Sequence, residues 1–191
     1  MASLDLASYG LAAFPRASLA ALRHALMRDH GPEAAGALQE AGYAGGETVF
    51  SAFSKWLADR TDIDASQLDV DAFQHRASEF LSEFGWGTLS VGSIDDAVAT
   101  LDASDWWEAD GSERLDSPGC HLTTGLFADL FGRLAGTQVA VLEVECRAMG
   151  HEHCRFLVGS PEVLEFVYEE MSDGASYQDA VAAAASSISS S

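Results

Sequence analysis

The chain has 191 residues, 48% of them hydrophobic, which suits one globular domain with a core of its own and no need for a disulfide framework. Acidic residues number 30 against 10 basic ones, a formal net charge of −20, and Lys55 is the only lysine. With no basic stripe to meet phosphates, this balance excludes direct nucleic-acid binding and docking on an anionic membrane surface; it does not specify a fold.

Residues 1–15 are poorly patterned and end at Pro15, forming an N-terminal segment ahead of a single domain over residues 16–175. Residues 16–30 read as a helix with Leu19, Leu22 and Leu26 on one face. Gly31-Pro32 breaks it, and Pro32 opens a second helical stretch that runs to about Arg60. Gly36, Gly42, Gly45 and Gly46 weaken that stretch, and either bend it or let another element approach closely. Its second half, with Val49, Phe50, Phe53, Trp56 and Leu57, is amphipathic. Asp62 to Asp69 reads as a polar linker. Residues 70–84 form a helix with Phe73, Ala77, Phe80, Leu81 and Phe84 at helical spacing, stopped by Gly85. Strands are expected at 87–94 and 97–103 around a turn near Asp95-Asp96, then a loop over 104–119.

Residues 120–134 form a helix with Leu122, Leu126, Phe127, Leu130 and Phe131 inward, ended by Gly136. A strand at 138–148, a turn at 149–152 and a strand at 153–159 follow. Ser160 caps, and Pro161 opens, a helix to about Met171. Residues 176–191 close the chain as a C-terminal helix or disordered tail, with disorder expected from the low-complexity run at 182. The element order predicts an α+β fold, helices packed on an antiparallel sheet. No run of about 18 apolar residues is present, so no spanning helix is expected. The N-terminus lacks a basic leader region, and three cysteines, an odd number, argue against a secreted disulfide scaffold. The expected address is the cytoplasm.

Cys146 and Cys154 flank a turn centred on Gly150. In a symmetric hairpin they face each other, with Cβ atoms roughly 4.5–5.5 Å apart, close enough to share one metal ion. Cys120 starts the helix that must pack on this sheet, so three thiols converge and a tetrahedral site needs one more donor. Regular pleating puts Glu143 and Glu145 on the face opposite Cys146, and only a bulge would bring Glu143 round. His151 and His153 lie in or beside the turn and need no bulge, and His121 follows Cys120. Geometry alone favours a histidine. The alternatives to a metal site are three unrelated buried thiols or a Cys146–Cys154 disulfide.

The stretch Cys120 to Val158 resembles the 4-vinyl-reductase domain family. The likeness is carried by a Cys-His-x-x-x-Gly helix start, by Glu-x-x-Cys-Arg-x-x-Gly and by Cys-Arg-Phe. The combined spacing Cys120-x22-Glu143-x2-Cys146-x7-Cys154 is similar to the zinc motif in the sensor domains of phenol- and xylene-responsive transcription activators. The resemblance implies that Cys120, Glu143, Cys146 and Cys154 hold zinc. It implies a fold shared with Golgi transport-particle subunits and nitric-oxide-sensing domains, often dimeric. It also implies an apolar pocket for aromatic or tetrapyrrole-like molecules, for which Trp86, Thr124 and Val141 are the expected lining, although each of the three also reads as ordinary core.

Four protein ligands leave no open position on the metal, so the expected zinc is structural and the protein is not expected to be an enzyme. The leading expectation is a small-molecule sensor or carrier, a homodimer that passes its signal to a separate output protein. A protein-interaction scaffold is one alternative. A vinyl reductase of bacteriochlorophyll synthesis is another, but no nicotinamide or flavin motif is present to supply electrons.

Overall fold

At the centre lies a four-stranded antiparallel sheet of order β1-β2-β4-β3, where β1 is Ser90–Ser93, β2 is Ala99–Ala103, β3 is Ala140–Glu145 and β4 is Cys154–Gly159. The computed structural model describes residues 5–94 and 97–188, so the turn expected at Asp95-Asp96 lies outside the described residues. The helices are α1 (Arg16–His30), α2 (Glu33–Ala58), α3 (Val70–Glu83), α4 (His121–Ala135), α5 (Pro161–Ser172) and α6 (Tyr177–Ile188). Among the described residues no helix is long and apolar enough to cross a membrane.

Alternation along β4 divides the core in two. Phe156 and Cys154 face the helices α2, α3 and α4, where Phe53, Trp56, Phe80, Trp106 and Phe127 are buried with them. The rings meet edge to face, Phe127 and Phe156 at 5.5 Å and Phe53 and Phe80 at 5.5 Å. Leu157 faces the other way and is buried against Val163, Leu164 and Val167 of α5 and Ala180, Val181 and Ala184 of α6.

Gly42, Gly45 and Gly46 of α2 face α4 and admit it. A Cβ on Gly42 would stand 2.0 Å from the carbonyl oxygen of Leu122, and one on Gly125 would stand 1.9 Å from that of Gln39. The two backbones therefore touch, and this contact seats the first turn of α4 beside the sheet.

Three expectations are corrected. Leu19, Leu22 and Leu26 do not share one covered face of α1: Leu19 and Leu26 are half-buried but Leu22 is 53% exposed, and the buried residue of that helix is Arg23, whose guanidinium reaches the backbone carbonyl of Glu108 at 2.9 Å. The strand expected to reach residue 148 ends at Glu145, because a bulge and a 3-10 turn over Arg147–Met149 take its place. The tail expected to be disordered from 182 is helical to Ile188, because Ala180, Val181 and Ala184 form one apolar stripe. Residues 189–191 lie outside the described residues.

Candidate metal centre and cavities

The hairpin β3–β4 places the acid. Glu143 pairs with Phe156 and Glu145 pairs with Arg155, so Val144 is an extra residue on β3. Val144 packs in the outer core, and the Glu145 carboxylate accepts from the Tyr177 hydroxyl at 2.9 Å, also on the outer side. Two consecutive residues thus face outward, and Glu143 and Cys146 both face inward. Beyond the bulge the chain turns at Gly150, which adopts φ 99°. Cys120 enters from the N-cap position of α4.

Cys120, Glu143, Cys146 and Cys154 therefore present four donor atoms within 4.8 Å of one another, and all four residues are buried. Glu143 is oriented by the backbone N–H of Cys120, which donates to its Oε2 at 2.8 Å. The Cys120 and Cys154 sulfurs are 3.9 Å apart, and the Arg147 backbone N–H donates to the Cys154 sulfur at 3.5 Å. The other Glu143 oxygen, Oε1, is buried with no hydrogen-bond partner among the described residues. A carboxylate left half-satisfied at 5% exposure is costly unless a cation takes the second oxygen.

Crowded acids suppress one another's ionisation. Burial, then the charge at Cys146, pushes Glu143 up to about 9. Burial, then the neighbouring sulfurs, pushes the Cys120 thiol well above its usual range. Hydrogen bonds from Cys120 and Cys154 hold the Cys146 thiol far below it. A divalent cation amid such donors reverses the repulsion and deprotonates the set. Donor types, spacing and the unmatched Oε1 all fit a metal ion.

None of the histidines weighed as a fourth donor joins this group. The His153 ring lies 2.9 Å from Glu145 on the outer side, His151 is exposed, and His121 borders an open groove. Around Glu145 the outer side carries its own network: Arg155 holds Asp102 through two hydrogen bonds of 2.7 and 2.8 Å and donates to the Tyr177 hydroxyl at 2.7 Å, tying α6 to the hairpin.

The start of α4 has a second anchor that sequence reasoning did not single out. The Glu108 carboxylate accepts from the backbone N–H groups of Leu122 and Thr123 at 2.9 and 2.8 Å and from the Thr123 hydroxyl at 2.5 Å. It caps the helix from 14 and 15 residues away, so no local capping pattern betrays it. Burial raises its carboxyl to about 7, against the opposing hydrogen bonds from Thr123 and Leu122. Its folded value lies above its unfolded one, so its contribution is largest below about pH 4.5 and is lost as pH rises to about 7. Glu108→Gln is expected to abolish this component. Urea unfolding between pH 5 and 7.5 should show wild type losing on the order of 2–3 kcal/mol relative to the variant; parallel pH profiles would refute the assignment.

The expected pocket residues do not converge. Thr124 and Val141 line one groove of about 670 Å³, with His121, Glu143 and Tyr168. Trp86 lies elsewhere, in a cavity of about 220 Å³ with Phe84 and Trp107. Gly85 turns the chain at φ 77°, and the Trp86 carbonyl then accepts from the Trp107 N–H at 2.9 Å, which fixes Trp86 near the N-terminal segment. A largely apolar cavity of about 380 Å³ opens between α3, α4 and the sheet and is lined by Leu68, Phe73, Leu101, Phe131, Leu134 and Val158. Phe73 and Phe131 were legible only as inward helix positions, because a cavity wall and a filled core share one hydrophobic pattern.

An α+β domain with a buried thiol–carboxylate group between a helix start and a bulged hairpin is the class that fold and site define. Residues 104–160 match the family model of the 4-vinyl-reductase domain, and the resemblance seen in Cys120 to Val158 is borne out. Among solved structures, the chain is similar to the phenol-responsive sensory domain of the transcription activator PoxR with phenol (20% identity, 80% of this chain and 77% of that one, TM-score 0.62). It is also similar to a vinyl-4-reductase family protein from Methanocaldococcus jannaschii (14% identity, 77% and 82%, TM-score 0.51). A third similar structure is a trafficking protein particle complex subunit 3 from Naegleria fowleri covalently bound to palmitic acid (11% identity, 75% and 91%, TM-score 0.54). At these identities the likeness establishes the fold. No curated protein sequence matches the chain significantly.

Proposed function

We propose that the protein is a small-molecule sensor or carrier module, built around a structural zinc site, that binds an apolar aromatic ligand. The observation that carries this reading is the apolar cavity of about 380 Å³ against the inner face of the sheet. Ligand pockets of about 300–1,000 Å³ walled by apolar and aromatic side chains are typical of small-molecule sites, and about 150 Å³ already holds a benzene ring. The volume favours a one- or two-ring aromatic over a tetrapyrrole. The similar sensory domain of PoxR, solved with phenol, supports the same class of ligand.

Cys120, Glu143, Cys146 and Cys154 would hold the metal; three thiolates and one carboxylate suit zinc, which would cross-link α4 to the hairpin. A closed donor set offers substrate no coordination position, so the reading is binding and not catalysis. A homodimer and a separate output protein complete the proposal as its expected partners.

The test is a thermal-shift titration of the metal-replete protein with phenol and methylated phenols, alongside Val158→Trp, which fills the cavity. Phenol is expected to raise the wild-type Tm in a concentration-dependent way and to leave the variant unmoved. No shift with any phenol, or an equal shift in Val158→Trp, would overturn the ligand assignment.

A further inference from the structure

In a chain with so few cations, their placement is informative. Arg16 and Arg23 of α1 and Arg147 of the β3–β4 hairpin, far apart in sequence from them, line a single chamber of about 340 Å³ beside α1 and the start of α4. Their donors are unequally committed. Arg23 is buried and spent: it donates to the backbone carbonyls of Glu108 and Gly119 and is ion-paired with Glu113. Arg16 donates to the carbonyl of Gly85 at 2.7 Å and keeps its other N–H groups. The Arg147 guanidinium makes no hydrogen bond or ion pair among the described residues. Its Nη2 lies 3.3 Å from where a side chain on Gly111 would begin, so the glycine leaves it room.

The acids of the chamber form no ion pair with Arg147, although its charge helps to hold the exposed Asp110 carboxyl, after the Ser112 hydrogen bonds, below its usual range. The Glu108 carboxylate is turned toward the amides of α4, and Asp110 accepts from the backbone N–H and hydroxyl of Ser112 at 2.8 and 2.7 Å. The remaining wall includes Leu19 and Trp107. These two residues, with Arg16, also line the adjoining cavity of about 220 Å³, which continues along Phe14, Phe84 and Trp86. One cationic chamber and one aromatic chamber therefore share a wall.

We propose that the two chambers form one ligand site, separate from the cavity against the sheet, that takes a carboxylate carried on an aromatic or short aliphatic body. Arg147 and Arg16 receive the carboxylate, whose planar oxygens match a guanidinium fork, and Trp107, Trp86 and Phe84 cover the body. A net charge of −20 repels a phosphate dianion more strongly than a monoanion, and the apolar second chamber suits a carbon skeleton. Because the Arg147 backbone N–H donates to the Cys154 sulfur, the carboxylate's grip ends on the hairpin that carries the candidate metal donors.

The experiment follows tryptophan fluorescence and calorimetry of the metal-replete full chain titrated with benzoate, hexanoate, benzyl alcohol and inorganic phosphate. Benzoate and hexanoate are expected to bind saturably, and benzyl alcohol and phosphate roughly tenfold more weakly or not at all. Arg147→Gln and Arg16→Gln are each expected to weaken benzoate by roughly tenfold with metal content unchanged. Arg16→Gln lies at the start of α1, away from the metal donors, and keeps the test decisive if Arg147→Gln disturbs the hairpin. The proposal is overturned by absence of saturable benzoate binding, by benzyl alcohol or phosphate binding as tightly, by unchanged affinity in Arg16→Gln, or by displacement of benzoate with phenol.

Discussion

Protein purified without chelator is expected to carry about one zinc ion per chain, and Cys154→Ser to carry almost none. Serine is nearly isosteric with cysteine, but its hydroxyl does not ionise near neutral pH and is a poor zinc donor. Zinc binding by small closed sites is worth about 10–16 kcal/mol in peptides, so losing a sulfur should cost the fold at least about 3 kcal/mol. Glu143→Gln should act more mildly. The amide oxygen still accepts from the Cys120 N–H, but the charge is gone, and metal affinity should fall without collapse of the domain. Elemental mass spectrometry with urea unfolding reads both effects. A metal-free wild type that unfolds at the same urea concentration as Cys154→Ser would refute the metal site.

Gly125→Ala is expected to be the most damaging small substitution away from that site. The added methyl would lie 1.9 Å from the Gln39 carbonyl oxygen, and both partners are backbone, so no rotamer relieves the overlap. The helices α2 and α4 must separate, and the aromatic packing beneath them opens. The expected cost is about 3–5 kcal/mol in urea unfolding. Gly36→Ala provides the contrast on α2, since nothing lies within 4 Å of its added methyl. Alanine there should stabilise by about 0.5–1 kcal/mol. Equal effects of the two changes would show that helix propensity, not backbone contact, sets the role of these glycines.

The elements most legible in the sequence were those with a one-sided pattern. The spacing of Leu126, Phe127 and Leu130 marked α4, and the turn at Gly150 marked the hairpin that brings Cys146 and Cys154 together. Glu143 needed more: strand parity excluded it, family resemblance pointed to it, and the bulge at Val144 reconciles the two. Arg23 was invisible because its burial depends on carbonyls and an acid 85 or more residues away. Trp86 was misplaced for a similar reason, since its position follows from a backbone hydrogen bond to Trp107. In α6, small and polar residues hid a buried stripe, because alanine signals a helix more clearly than it signals which side is covered.

The bulge at Val144 also bears on how the hairpin assembles. A flat strand repeats every two residues, whereas Glu143 and Cys146 are three apart, so no regular β3 can turn both toward one ion. A pairing slipped by one residue would expose the acid on the wrong side and leave an incomplete donor set. Metal capture would thus reward a single alignment of β3 on β4, making the ion a proofreader of strand registry during folding as well as a cross-link afterwards.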